Sequence, residues 1–81
     1  MKKYLCRIVR NGEDVVCESK SAEFAEAALQ SVICRKRDLL EKHGCATSFG
    51  KLGKVANDEF SSVNGDTAFV VRMVEADGAK A

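Results

Sequence analysis

The sequence predicts an α+β fold in which one long amphipathic helix packs on one face of a small antiparallel sheet of three to four strands. Three observations lead to this prediction: two Asn-Gly pairs that favour tight hairpins, segments of alternating hydrophobicity beside them, and a single Ala- and Leu-rich stretch with helical periodicity. The element order is β-β-α-(β)-β. We expect residues 1–76 to form one domain and residues 77–81 to be a frayed tail.

The first hairpin is predicted from Tyr4 to Ser19 with its turn at Asn11-Gly12, because both turn residues tolerate a positive φ. A two-residue turn makes Cys6 face Cys17, whereas a four-residue turn would place Ile8 opposite Cys17. With the two-residue turn, one face is uniformly apolar and should meet the core; it carries Tyr4, Cys6, Ile8, Val15 and Cys17. The reverse face mixes charged residues with the side chains of Leu5, Val9 and Val16.

The helix is predicted over residues 22–43. Ser21 precedes it as a candidate N-cap, and Lys42, His43 and Gly44 form a C-terminal signature. The apolar residues of this stretch fall within about half of a helical wheel, with Phe24 among them and Lys36 as a cation inside the apolar arc. Such a stripe is buried against the inner face of a sheet.

The second half of the chain has a weaker pattern. Residues 45–49 favour a short strand, residues 50–54 a glycine-rich turn, and residues 55–63 either a strand or an irregular turn. Asn64-Gly65 predicts a second hairpin, and residues 67–76 alternate as a strong strand. One helix leaves the second sheet face uncovered, and recruiting a partner is one way in which proteins manage such a surface.

Charge is balanced overall but unevenly distributed. Thirteen basic and twelve acidic residues give a net charge of +1, so nothing global draws the chain to nucleic acid or an anionic membrane. Residues 35–54 carry six basic and two acidic side chains, net +4, and residues 57–77 carry one basic and five acidic, net −4. This dipolar pattern favours association with a charged partner or a second copy, and two solvated faces are the alternative.

Four cysteines lie at positions 6, 17, 34 and 45, with no C-x-x-C pair among them. The spacing fits no zinc pattern, and without a recognisable signal peptide we expect a cytoplasmic protein with free thiols. His43 and Cys45 lack a third group to orient them as a catalytic pair. We therefore expect no enzymatic activity, no cofactor, no metal and no small-molecule substrate.

A basic stretch is the main argument for nucleic acid. Gly50-Lys51-Leu52-Gly53 matches the GxxG loop of KH domains, but the residues after it continue a helix poorly, so we interpret it as a turn. The cations on the predicted helix fan around it rather than sharing a face. The candidate contacts in this stretch are Arg35, Arg37, Lys42, Lys51 and Lys54.

The run Ser21-Ala22-Glu23-Phe24-Ala25-Glu26-Ala27-Ala28 after a hairpin resembles the antitoxin half of HicAB-type modules. The size and organisation of the chain also resemble small phage-encoded inhibitors such as anti-CRISPR proteins. Our leading hypothesis is a non-enzymatic regulatory protein that acts by protein–protein contact, with a protein partner or as a homodimer. The alternative is a small nucleic-acid-binding protein that uses the basic stretch. The candidate partner-binding residues are Arg35, Arg37, Lys42, Lys51, Lys54, Leu5, Val9 and Val16.

Overall fold

The computed structural model describes residues 1–75 and contains a five-stranded sheet and two helices there. The elements are β1 (Lys2–Arg10), β2 (Glu13–Ala22), α1 (Ala25–Arg35), α2 (Arg37–Lys42), β3 (Gly53–Ala56), β4 (Glu59–Asn64) and β5 (Thr67–Glu75). All strand pairs are antiparallel, in the order β2-β1-β5-β4-β3. The predicted α+β class is confirmed, but the strand count was too low because residues 53–64 form two strands. The predicted tail at 77–81 lies outside the described residues.

Both predicted hairpins form at short turns. Asn11 (φ 54°) and Gly12 (φ 80°) connect the paired residues Arg10 and Glu13, as a two-residue turn requires. In the second hairpin the paired residues are Asn64 and Thr67, so the connecting residues lie one position later than the Asn-Gly pair suggests. Gly65 has φ 63° and takes the first of these two positions. Glycine adopts this left-handed conformation without the clash that a Cβ would cause.

A β-bulge in the first hairpin overturns the predicted register. Asp14 pairs with Val9 and Val16 with Ile8, so β2 carries Val15 as an extra residue. Because side chains alternate along a strand, one inserted residue moves every later side chain to the other face. Val16 is therefore buried in the core with 3% exposure, and its predicted place on the uncovered face is wrong.

The predicted pairing of Cys6 with Cys17 is wrong for the same reason. Cys6 lies opposite Glu18, and Cys17 is exposed opposite Arg7. Cys17 therefore lies on the sheet face opposite to that of the buried Cys6. Leu5, on β1, is not affected by the bulge and occupies the face predicted for it.

The predicted helix is shorter and is divided in two. Ser21 pairs with Lys3 in the sheet, so it is not the N-cap; Phe24 takes that position without a capping side-chain hydrogen bond. The division falls at Lys36 (φ −110°, ψ 19°), whose N–H still donates to Val32 and whose carbonyl accepts from the N–H of Leu40. The two helices are thus successive segments of the predicted one, interrupted by a single residue.

The C-terminus of α2 is the one that the sequence predicts. Gly44 has φ 73°, its N–H donates to the carbonyl of Glu41, and the N–H of Cys45 donates to the carbonyl of Leu40 over 2.8 Å. These two hydrogen bonds form a Schellman motif and satisfy carbonyls that the helix end would otherwise leave unpaired. The chain then turns back over the sheet.

The core lies between the helices and the inner face of the sheet, where α1 packs on β2, β1 and β5. Residues 45–52 form a coil rather than the predicted short strand. This coil extends the layer that covers the inner face of the sheet toward β4. Here the Ala46 N–H donates to Thr67 Oγ1 over 2.9 Å, and the rings of Phe49 and Phe69 lie 5.9 Å apart. The fully buried side chains at the centre include Cys6, Ile8, Leu29, Val32, Leu40, Phe69 and Val71.

Candidate protein-binding surfaces

The sheet face turned away from α1 has no covering element within residues 1–75. We call it the open face. Directly paired residues share a face of a sheet, so Val9, Ala68 and Val63 form one aliphatic row across β1, β5 and β4. Val63 is 70% and Val74 44% exposed, and the other aliphatic side chains of this face are half-buried. The aliphatic members of the open face are Leu5, Val9, Val63, Ala68, Val70 and Val74.

Charged side chains of both signs accompany this row. Arg7 donates from Nη2 to Asp14 Oδ1 over 3.0 Å, and this hydrogen bond raises the pKa of the Arg7 guanidinium. Arg72 and Glu59 are directly opposite each other on β5 and β4. Lys3, which alternates with Leu5 along β1, adds a cation at the end of the face. The open face thus carries three cations and two anions and does not select a partner by a strong net charge.

A groove follows the other side of the molecule, between α1 and the coil at residues 47–52. It consists of two neighbouring hollows, of about 330 Å³ and 270 Å³, which share Glu26 as a lining residue. We call the two together the α1 groove. The larger hollow is lined by Glu26, Gln30, Ile33, Cys34, Arg37 and residues 47–50. The smaller is lined by Tyr4, Phe24, Ala25, Glu26, Leu52 and Phe60.

The smaller hollow is the apolar end of the α1 groove. Phe24, the N-cap residue of α1, lines this hollow and is 54% exposed. Phe60 belongs to the segment whose sequence pattern did not distinguish strand from turn. The run Glu59-Phe60-Ser61-Ser62-Val63 has its two apolar residues three positions apart, on opposite faces of a strand, so no alternation indicated that Phe60 lies on the inner face.

Three cations lie at or beside the α1 groove. Arg37 lines the larger hollow, Lys51 lies between the lining residues Gly50 and Leu52, and Lys54 is paired with Phe60 on the same face of the sheet. Within residues 1–75 none of these three cations takes part in an ion pair.

The five predicted cations do not form one patch. Arg35 Nη2 contacts Glu18 Oε1 at 2.9 Å on the edge strand β2, and Lys36 Nζ contacts the other oxygen of Glu18 at 3.0 Å. The hydrogen bond to Lys36, with support from Arg35, lowers the pKa of Glu18. Lys42 is exposed in the last turn of α2 and lines neither hollow. The fold thus places Arg37 at the groove and holds Arg35 at the opposite edge of the sheet.

The four cysteines are free, as predicted, and fall into two pairs. Cys17 and Cys34 are exposed, whereas Cys6 and Cys45 are buried. Burial is the main cause that raises the pKa of Cys6 to about 11, and it also raises the pKa of Cys45. Within residues 1–75 no three potential metal ligands cluster, and neither helix has the length and apolar character of a bilayer-spanning segment.

Comparison with protein-family models, with curated proteins and with solved structures finds no match to this chain. The functional inference therefore depends on the chain's own surfaces.

Proposed function

We propose that the chain is a small non-enzymatic regulatory protein that acts by protein–protein contact, as small phage-encoded inhibitors do, and that its open face packs against a second copy. The observation that supports this proposal is the exposed aliphatic row of the open face, which has solvent-facing valine at position 63 and no covering element within residues 1–75. Uncovered sheet surface of this kind marks contact sites on small domains.

The size of the open face agrees with a weak specific dimer. β1 and β5 have nine residues each, which corresponds to about 30 Å of strand at roughly 3.3 Å per residue. Five strands at about 4.8 Å spacing span roughly 20 Å. The face thus offers about 600 Å² per copy, and the total of about 1,200 Å² lies at the lower end of specific interfaces.

The charges of the open face favour a second copy over a partner of one strong charge. Arg7 and Asp14 already neutralise each other, and Arg72 and Glu59 provide one further group of each sign. In a two-fold dimer the same patch lies on both sides of the interface, so a face whose cations and anions nearly balance can meet its own copy with little net repulsion.

Light scattering coupled to size-exclusion chromatography, from about 1 to 500 µM, tests the proposal. We expect a concentration-dependent dimer that Val63→Lys weakens at least tenfold, since a lysine there would place a charge against the aliphatic row of the second copy. Val63 is exposed in one copy, so the variant should keep the stability of the monomer. Val55→Lys is the matched control because Val55 is 59% exposed on β3, outside the three strands that carry the aliphatic residues. A wild-type monomer at 500 µM would refute the proposed dimer.

A further inference from the structure

We infer that the α1 groove binds an acidic peptide segment of a target protein, about six residues long and extended, with one large apolar side chain seated in the smaller hollow. This inference rests on the proposed function, since it names the class of partner that a regulatory binding protein of this shape recognises. It concerns the opposite side of the sheet from the open face, so the two surfaces can be occupied together.

The length of the segment follows from the helix that forms one wall. The lining residues Glu26, Gln30, Ile33 and Arg37 recur at intervals of three to four and therefore share one side of the helical segment. Arg37 lies eleven positions after Glu26, and at 1.5 Å per residue the wall is about 16 Å long. An extended chain covers this distance with about five residues at roughly 3.3 Å each, and one more reaches the smaller hollow.

The apolar anchor follows from the smaller hollow. Its walls include three aromatic rings, those of Tyr4, Phe24 and Phe60, and the side chain of Leu52. Phe24 is 54% exposed and Phe60 and Leu52 are half-buried, so a leucine or phenylalanine from a partner would remove apolar surface of all three from water. A volume of about 270 Å³ accommodates one such side chain.

The acidic character of the segment follows from charge complementarity. Arg37 lines the groove, Lys51 and Lys54 adjoin it, and none of the three takes part in an ion pair within residues 1–75. On the acidic side, Glu26 lines the groove and Glu23 adjoins it beside Tyr4, so cations outnumber carboxylates by three to two. Carboxylates along the segment would meet these cations, and Arg37 can hold a carboxylate through its planar guanidinium. A basic segment would meet three like charges and two carboxylates, so the excess of cations favours an acidic segment.

Selection of random ten-residue peptides displayed on phage, with the intact chain as bait at about 0.15 M salt, tests this inference. We expect the selected peptides to carry at least two Asp or Glu residues and one Leu, Ile or Phe. Their affinity is then measured by fluorescence anisotropy with synthetic labelled copies of the selected peptides. Arg37→Glu and Lys51→Glu should each weaken binding at least tenfold, and Phe24→Ala at least fivefold. Lys42→Glu, which makes the same charge change outside both hollows, should change the affinity less than twofold.

The outcomes separate this inference from the proposed dimer. Val63→Lys should dissociate the dimer and leave peptide affinity within twofold, whereas Arg37→Glu should do the reverse. Selection that yields no enrichment above the Arg37→Glu bait would overturn the inference, as would selected peptides without acidic residues. Binding that Val63→Lys abolishes and Arg37→Glu does not would move peptide recognition to the open face and also contradict it.

Discussion

Removal of the Arg10 guanidinium should lower the free energy of unfolding by about 1.5 kcal/mol. Arg10 joins three parts of the fold: it lies at the end of β1, its Nε and Nη2 contact Asp66 Oδ2 at 3.1 and 3.0 Å, and its Nη1 donates to the carbonyl of His43 over 3.3 Å. Asp66 lies in the β4–β5 turn and His43 at the C-terminus of α2. One side chain therefore ties a helix end to two hairpins.

The magnitude follows from the exposure of each contact. The Arg10 side chain is 33% and the Asp66 side chain 54% exposed, so their ion pair is screened by water and should contribute about 0.5–1 kcal/mol. The hydrogen bond to the His43 carbonyl adds about 0.5–1 kcal/mol, because a cation interacts favourably with the negative end of a helix. For 81 residues, a loss of 1.5 kcal/mol corresponds to a fall in Tm of roughly 9 °C.

Urea denaturation of Arg10→Ala, followed by far-UV circular dichroism, measures this loss. Arg10→Lys is the matched control: it keeps the charge but cannot contact Asp66 and His43 together, so we expect an intermediate stability. Asp66→Ala should cost less than Arg10→Ala, because the carbonyl contact survives. If Arg10→Ala unfolds within about 0.3 kcal/mol of the wild type, the link between the helix end and the hairpins does not contribute to stability as argued.

Further predictions concern the thiols and the helix end. A thiol reagent should modify Cys17 and Cys34 of the native protein within the mixing time, and Cys6 and Cys45 at least a hundredfold more slowly; equal rates for all four would contradict the described burial. Because burial raises the pKa of Cys6 from 9.0 to about 11, the folded state holds its proton longer than the unfolded state does. The stability from this thiol is present below pH 9 and is lost as the pH rises toward 11, about 2–3 kcal/mol in all. Cys6→Ala should flatten this part of the stability curve relative to Cys17→Ala, and parallel curves would show the assignment to be wrong. Gly44→Ala should lower the free energy of unfolding by about 1–2 kcal/mol, since φ is 73° there, and thermal unfolding measures it; an unchanged Tm would count against the left-handed cap.

Local signals in the sequence were reliable where the backbone needs a positive φ, which few residue types adopt. Asn11-Gly12 and Gly44 take left-handed conformations that few other residues tolerate, so the first turn and the end of α2 could be predicted within a residue. The helical periodicity of residues 25–42 and the alternation in β1 and β5 were also reliable. In each element the side chains that recur at its structural period face the same core.

The candidate surfaces were predictable only in part. Leu5 and Val9 occupy the uncovered face expected of them, because the extra residue of the bulge lies in β2 and the alternation along β1 is unbroken. Val16 does not, because a single extra residue in β2 exchanges the faces that follow it. A bulge of this kind needs no particular residue type, and nothing in the run Asp14-Val15-Val16 indicates one.

The sequence by itself determined the fold class, the position of the first hairpin turn and, within one residue, that of the second, because these depend on short-range conformation and on hydrophobic pattern. Only the tertiary structure decided which cations act together. Arg35 and Arg37 are two positions apart, yet one meets Glu18 on the edge strand and the other lines the α1 groove. Helical geometry separates neighbouring side chains by about 100° per residue, and the partners they meet come from strands distant in the chain. For that physical reason, charge counted along the sequence could not locate the groove.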